Sequence, residues 1–128
     1  MNVKELISAM QNGAYDSNLK AVYLTDGAVD LQKPRYVEAL NSFGELFGFD
    51  REVSIMSAPG RTEVCGNHTD HNNGKVLAAS INLDAIAVVS KNDDNIIRVK
   101  SKGHRMNVVD LNDLTPNEKN FGLSLIHI

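Results

Sequence analysis

The sequence predicts an α+β fold in which helices come first and a mostly antiparallel sheet follows. Two observations lead to this prediction. Up to residue 49, apolar residues recur at the spacing of one helical face. From residue 50 onward, they alternate with polar residues or form short runs bounded by turn-forming residues, as in strands. We therefore expect a helical leader over residues 1–49 and a sheet within residues 50–120.

Three helices are predicted in the leader. The first ends near Gly13, where glycine suits the left-handed backbone beyond a helix C-terminus, and its apolar face consists of Val3, Leu6, Ile7 and Met10. The second is short and is indicated by Leu19, Val22 and Tyr23. The third begins near residue 33, because Pro34 is tolerated only in a first helical turn, and it ends before Gly48. The apolar face of this third helix consists of Tyr36, Leu40, Phe43 and Phe47.

The predicted strands follow in order along the chain. Residues 52–59, EVSIMSAP, form a strand that ends in a turn at Pro59–Gly60. Residues 75–91 are apolar for longer than one strand usually runs, so we expect two buried strands bent near Asn82–Leu83. Residues 92–95, NDDN, are a turn by composition. Residues 96–102 alternate like a half-exposed strand, and residues 105–111 are its expected partner.

Composition limits the possible partners and location. The chain has 128 residues, of which 42% are hydrophobic and 23% charged, as is ordinary for one globular domain. A formal charge of -3 with scattered lysines and arginines argues against nucleic acid and against a membrane surface as partners. No apolar run approaches the roughly 20 residues that span a bilayer. One cysteine and the lack of a secretory signal predict a cytoplasmic protein.

Residues 60–74, GRTEVCGNHTDHNNG, hold too many hydrogen-bonding side chains for a simple connection. No metal site is predicted, because the two histidines lack the spacing of a zinc motif and only one cysteine is present. A phosphate-binding P-loop is excluded, because seven residues separate Gly66 from Gly74 and no Ser or Thr follows Lys75. By composition alone, a plain solvated loop remains open beside a ligand-binding loop.

The order of the residues favours a ligand. Arg61 follows the predicted turn directly, and arginine offers a permanent cation whose planar fork suits a phosphate or a developing phosphoryl charge. Amide, imidazole and carboxylate groups follow within residues 67–71. Such an array can donate and accept hydrogen bonds with the many hydroxyls of a sugar.

Residues 58–81, APGRTEVCGNHTDHNNGKVLAASI, resemble the galactokinase signature, the first motif of the GHMP kinase superfamily. The likeness continues to about residue 112, and the matching signature positions are Pro59, Gly60, Arg61, Gly66, His68, Thr69, Asp70, Gly74, Val76 and Leu77. The resemblance implies the N-terminal part of a GHMP kinase fold, which is similar to domain 2 of ribosomal protein S5. It also implies a parent enzyme that phosphorylates galactose at its anomeric hydroxyl, with ATP and Mg²⁺.

The resemblance further implies roles for individual residues. Arg61 is the expected catalytic residue, which stabilises the transferring phosphoryl group. The expected galactose-binding residues are Asn67, His68, Thr69 and Asp70. Ser101 matches a position close to the bound nucleotide, and the ligands of Mg²⁺ are expected outside this chain.

Three positions depart from the family pattern. Asn67 stands where the pattern has Glu, Glu63 where it has Asn, and His71 where it has Tyr. An amide in place of a carboxylate loses a charge and adds hydrogen-bond donors, which leaves the identity of the sugar open. Cys65, beside Val64, is expected to be a small buried residue rather than a reactive thiol.

Two features predict an incomplete fold that is inactive alone. The Gly- and Ser-rich phosphate loop of the superfamily and its catalytic Asp are not in the sequence. Thr115 and Glu118 have the spacing of a capping box, yet no helical pattern follows, and residues 121–128 are expected to be a non-native tail. Three alternatives stay open: a non-catalytic galactose sensor, a kinase for another small sugar, and a plain structural domain.

Overall fold

Three helices followed by two antiparallel strand pairs make up the computed structural model, which describes residues 1–25, 27–66 and 72–113. The elements are α1 (Val3–Gln11), α2 (Asp16–Tyr23), α3 (Ala28–Phe47), β1 (Ser54–Cys65), β2 (Leu77–Val89), β3 (Ile96–Val99) and β4 (Asn107–Asp110). They belong to two units, one over Met1–Ser90 and one that begins at Lys91. The predicted α+β class and the antiparallel pairing are confirmed.

Some predictions concern residues that this description leaves out. The helix start at Thr115 and the tail over residues 121–128 lie outside the described residues. The division of the chain at residues 49 and 120 stays a prediction.

The start of α1 is fixed by two reciprocal hydrogen bonds. The Glu5 backbone amide donates to the side-chain oxygen of Asn2 over 2.9 Å, and the Asn2 backbone amide donates to the Glu5 carboxylate over 3.0 Å. This capping box satisfies amides that the first helical turn cannot pair internally. Helix α1 then buries Val3, Leu6 and Met10. The predicted face is confirmed, and Gly13 follows the helix with a φ of +82°.

Helix α3 begins at Ala28, earlier than the predicted start near residue 33, which is therefore wrong. Pro34 lies in the second turn, where a proline leaves one helical carbonyl without its amide partner. Ala28 is only 2% exposed and belongs to the core. Tertiary packing of the first turn thus outweighs the missing hydrogen bond. The predicted end before Gly48 is confirmed.

The core of the first unit lies among the three helices. Buried side chains of α1, α2 and α3 form one cluster with Val53, and its members are Val3, Leu6, Met10, Leu19, Tyr23, Ala28, Tyr36, Leu40 and Val53. The rings of Tyr23 and Tyr36 meet edge to face, with centroids 6.4 Å apart. Partly buried side chains of β1 and β2 pack against this cluster, among them Ile55, Ile86 and Val88. None of the described helices is long and apolar enough to cross a membrane.

Strand β1 passes through Pro59 and Gly60 without turning. Pro59 pairs with Asp84 whereas Arg61 pairs with Ser80, so Gly60 faces residues 81–83 of β2. This irregularity is a β-bulge. A Cβ atom on Gly60 would lie 3.1 Å from a side-chain carbon of Ile81, so glycine suits the close approach of the two strands. The predicted turn is wrong, because Pro and Gly mark a bulge as readily as a turn.

Strand β2 is continuous from Leu77 to Val89, which corrects the prediction of two buried strands. The predicted bend near Asn82–Leu83 coincides with the bulge, where the register changes. Over residues 84–90, half-buried positions alternate with exposed ones, as expected for a hairpin that the helices cover on one face. Leu77 is 61% and Leu83 is 73% exposed, so much of the apolar run is not buried within this unit.

The second unit contains the hairpin of β3 and β4. Ile97 lies opposite Val109, which confirms the predicted pairing. The predicted turn at residues 92–95 is also confirmed, and Asn95 there has a left-handed φ of +55°. Strand β3 ends at Val99, earlier than predicted, since a turn follows in which Gly103 has a φ of +81°.

Replacing Gly44 with alanine tests how tightly the end of α3 is packed. In an exposed helix interior, alanine would stabilise the protein by up to about 1 kcal/mol. Here the added Cβ would lie 2.4 Å from the ring of Phe49. We therefore expect Gly44→Ala to lower the free energy of unfolding by about 1–3 kcal/mol in urea denaturation.

The control for this substitution is Ser42→Ala on the exposed side of the same helix. It should change the free energy of unfolding by less than about 0.5 kcal/mol. Unchanged or increased stability of Gly44→Ala would contradict the packing argument, because the Phe49 ring would then move aside at little cost.

Candidate functional site

Arg61 lies on β1 directly after the bulge, and its side chain is exposed. Its neighbours on the strand, Thr62 and Glu63, pair with Ala79 and Ala78 of β2. The guanidinium is therefore carried by a paired strand and not by a free loop. Because three residues of β2 lie opposite the single residue Gly60, Arg61 meets β2 in a register that is shifted by two residues.

The polar connection, residues 66–76, joins β1 to β2. Cys65 pairs with Leu77, and the backbone of Gly66 approaches β2 so closely that a Cβ atom there would lie 2.7 Å from Cα of Val76. Gly66 has a φ of +122°, a conformation that glycine adopts readily. The two strands thus come together on either side of residues 67–71. Those residues themselves, Asn67, His68, Thr69, Asp70 and His71, lie outside the described residues.

Cys65 is exposed, so the prediction of a buried cysteine is wrong. It is the last residue of β1, at the end of the hairpin where the chain leads toward β2, and the neighbouring Val64 is also 63% exposed. The apolar character of Val64 suggested burial in the sequence. At this position, however, both side chains are exposed in the described part of the unit.

Ser101 lies in the second unit, where it opens the turn between β3 and β4. The Ser101 carbonyl accepts a hydrogen bond from the His104 amide over 3.1 Å, and the Lys100 ammonium donates to the His104 carbonyl. Ser101 is half-buried and follows the end of β3 instead of lying within it. Its predicted contact with a nucleotide stays a prediction.

A metal centre finds no support in the described part of the chain. Within residues 1–25, 27–66 and 72–113, no group of three or more His, Cys, Asp or Glu side chains is placed to hold a metal ion. Residues 67–71 lie outside these ranges.

Asp84 is the centre of a polar cluster that the sequence analysis did not identify. Its side chain is only 6% exposed. It accepts hydrogen bonds from Nη1 of Arg35 and Oγ of Ser57, each over 2.5 Å, and from the Tyr23 hydroxyl over 2.7 Å. Nη2 of Arg35 also donates to the Asp84 backbone carbonyl over 2.6 Å. The carboxylate therefore joins α2, α3, β1 and β2 at one point.

These partners keep Asp84 ionised. Burial by itself would raise the pKa of the carboxyl group, but hydrogen bonds from Ser57, Arg35 and Tyr23 outweigh it and hold the pKa below its ordinary value. Tyr23 shows the opposite shift, because burial and its hydrogen bonds to Tyr36 and Asp84 raise the pKa of its hydroxyl. At neutral pH the cluster thus holds a carboxylate, a guanidinium and neutral hydroxyls.

The Asp84 cluster borders the bulge that carries Arg61. Asp84 pairs with Pro59, the last residue before the bulge, and Ser57 lies two positions earlier on the same strand. The cluster therefore fixes the strand immediately before Arg61 against α2 and α3. A single carboxylate within an otherwise apolar run was the sequence signal for it, since an unpaired aspartate is rarely buried.

Comparison with known proteins identifies a likeness that covers the hairpin. Residues 41–91 match the family model described as the galactokinase galactose-binding signature. A galactokinase of Streptomyces coelicolor is 40% identical over 76 residues, which are 58% of this chain and 19% of that protein. A galactokinase of Enterococcus faecalis is 42% identical over 62 residues, which are 48% of this chain and 16% of that protein.

The third relative extends the same pattern. A galactokinase of Fusobacterium nucleatum is 31% identical over 74 residues, which are 57% of this chain and 19% of that protein. The chain thus spans less than a fifth of the length of the curated relatives it matches. No solved structure matches it. The resemblance to galactokinases predicted from residues 58–81 is confirmed.

Replacing Asp84 with asparagine tests the polar cluster. The amide has nearly the same shape, but it carries no charge, and one acceptor oxygen is replaced by an NH2 donor that faces donors of the cluster. We expect Asp84→Asn to lower the free energy of unfolding by about 2–4 kcal/mol in urea denaturation. Asp50→Asn is the control, because Asp50 pairs with Lys4 at the surface and exposed pairs contribute little. Similar stability losses in the two variants would contradict a special role for Asp84.

Comparing the unsubstituted protein with Asp84→Asn at several pH values tests the lowered pKa of Asp84. A carboxyl group whose pKa is lower in the folded state stabilises the protein above its unfolded pKa, and this stabilisation is lost as the pH falls through the folded pKa. The ordinary value is 3.8. We therefore expect the stability difference between the unsubstituted protein and Asp84→Asn to be constant near neutral pH and to shrink below about pH 4. A difference that stays constant down to about pH 2 would contradict this shift.

Proposed function

We propose that this chain is the N-terminal segment of a galactokinase that transfers the γ-phosphoryl group of ATP to the anomeric hydroxyl of galactose. The observation that supports this most strongly is the match of residues 41–91 to the galactose-binding signature. These residues run from the end of α3 through β1 and the polar connection to β2. The three curated relatives described above are galactokinases.

The polar connection is the proposed galactose site. Its residues Asn67, His68, Thr69 and Asp70 offer an amide, an imidazole, a hydroxyl and a carboxylate, which together can donate to and accept from several sugar hydroxyls. Specific recognition of hydroxyls requires such groups to be held in fixed positions. The close contact of Gly66 with Val76 and the pairing of Cys65 with Leu77 hold both ends of this connection.

Arg61 is the proposed catalytic residue. Phosphoryl transfer depends mainly on positioning and on stabilising charge at the transferred group. A guanidinium is permanently charged and can form two parallel hydrogen bonds to phosphoryl oxygens. The exposure of Arg61 leaves it accessible to a ligand, while strand pairing and the Asp84 cluster restrict its backbone.

ATP and Mg²⁺ are the proposed cofactors, as the galactokinase resemblance implies. Ser101 is the residue of this chain proposed to lie near the nucleotide. Mg²⁺ would neutralise charge on the phosphates, and its ligands are proposed to belong to the parent protein beyond this chain. Because the phosphate loop and the catalytic Asp are not in this sequence, we propose that residues 1–128 do not phosphorylate galactose alone.

A galactose sensor without kinase activity is the second candidate, and Asn67 is the observation that favours it. The family pattern has a carboxylate at this position, and the amide cannot supply the same charge. A parent protein that binds galactose and ATP but forms no sugar phosphate would support the sensor. Gain of activity in Asn67→Glu would then identify this position as the cause.

The proposed kinase is tested with a full-length protein that contains this sequence and continues past residue 120. We expect ATP-dependent phosphorylation of galactose, measured by coupled ADP release and by mass spectrometry of the sugar. Arg61→Ala should lower kcat about 10²–10³-fold, because a charge donor to the transition state is lost. Arg51→Ala is the control, since Arg51 is also exposed but precedes β1. The proposal fails if the full-length protein phosphorylates no hexose, and the role of Arg61 fails if both arginine variants retain full activity.

A further inference from the structure

The first unit contains a cavity of about 710 Å³ between its helices and the hairpin of β1 and β2. This volume is within the range of small-molecule sites. Apolar side chains from α1, α2, β1 and β2 line most of it, including Met10, Leu19, Ile55 and Met56. Tyr23, Tyr36, Ser57 and Asp84, which all belong to the polar cluster, also line it. Arg61 is not a lining residue, so the cavity is separate from the proposed catalytic residue.

The hydrogen bonds of the polar cluster have a fixed direction. An ionised Asp84 can only accept, so the protons of Tyr23 and Ser57 point toward it. The Tyr23 and Tyr36 hydroxyl oxygens are 2.8 Å apart. Because the single proton of Tyr23 is used by Asp84, Tyr36 must donate to Tyr23. Every hydroxyl proton in the cluster is thus directed toward the carboxylate.

The consequence for the cavity is an excess of acceptors at the cluster. The oxygens of Tyr36 and Ser57 each retain acceptor capacity, but neither has a proton left to donate. Tyr36 is buried. The asparagines that also line the cavity, Asn18 and Asn82, are exposed and can hydrogen-bond to water instead. A ligand that reaches the buried cluster must therefore bring its own donor.

We propose that this cavity binds a small, uncharged apolar alcohol, whose hydrocarbon part contacts the apolar lining and whose hydroxyl donates to Tyr36. A carboxylate or phosphate is disfavoured at the cluster, because it would place an anion beside Asp84, while the Arg35 guanidinium is engaged by Asp84 and does not line the cavity. An ammonium is disfavoured, because its charge would be desolvated while Asp84 is already neutralised by Arg35. A neutral hydroxyl satisfies the free acceptor at the smallest desolvation cost.

The methyl groups of the four methionines report directly on ligand binding in the cavity. Met1, Met10 and Met56 line the cavity, whereas Met106 lies in the second unit and serves as an internal reference. The chain is labelled with ¹³C-methyl methionine and titrated with 2-phenylethanol, and the chemical shifts of the methionine methyl groups are followed by NMR. The methyl ether of the same alcohol is the matched probe, because it has the same apolar body and can only accept.

We expect saturable shifts of the three cavity methyl groups, an unchanged Met106, and a dissociation constant about fivefold lower for the alcohol than for the ether. Tyr36→Phe keeps the ring and removes the acceptor, so the preference for the alcohol should be smaller in this variant; the Tyr23 oxygen, which then loses its donor, retains part of it. The proposal is overturned if the cavity methyl groups do not respond, if Met106 responds equally, or if the unsubstituted protein binds alcohol and ether alike. The last comparison needs no variant, so a Tyr36→Phe chain that fails to fold leaves the test intact.

Discussion

The buried Asp84 carboxylate is the interaction on which the arrangement of the first unit depends. Apolar contacts between helices and a hairpin favour burial but are not directional, so by themselves they allow strands to slide. Hydrogen bonds from Arg35, Ser57 and Tyr23 to one carboxylate specify a single relation of α2, α3 and β1 to β2. A buried charge that lost any of these partners would cost more than the contact contributes, which makes the arrangement selective.

The bulge next to Asp84 links the position of Arg61 to the cluster, because Arg61 directly follows the bulge on β1. Pro59 is held opposite Asp84, and Gly60 accommodates the extra residues of β2 because it has no side chain to collide with Ile81. The pairing register of β1 with β2 therefore changes directly after the Pro59–Asp84 pair, which the cluster holds in place. A guanidinium that has to meet a phosphoryl group needs such backbone support, since an error of about 1 Å can cost two orders of magnitude in rate.

The two layers of the first unit differ in how completely they bury their apolar residues. The helices supply nearly all of the buried cluster, whereas the hairpin packs against it with one face. Val64 and Leu77, which do not line the cavity, are both more than half exposed. Under the proposed function, the remainder of the parent enzyme is the natural partner for such a surface, because large exposed apolar areas in proteins usually serve contacts.

The sequence by itself determined the class of fold, most helix and strand locations, and the likeness to galactokinases. These depend on local patterns: the helical spacing of Val3, Leu6 and Met10, and the signature order of residues 58–81. Only the tertiary structure decided that α3 starts at Ala28 and that Pro59–Gly60 is a bulge. It alone also revealed the Asp84 cluster. The reason is that each of these depends on residues far apart in the chain, such as Arg35 and Asp84, whose encounter no local spacing records.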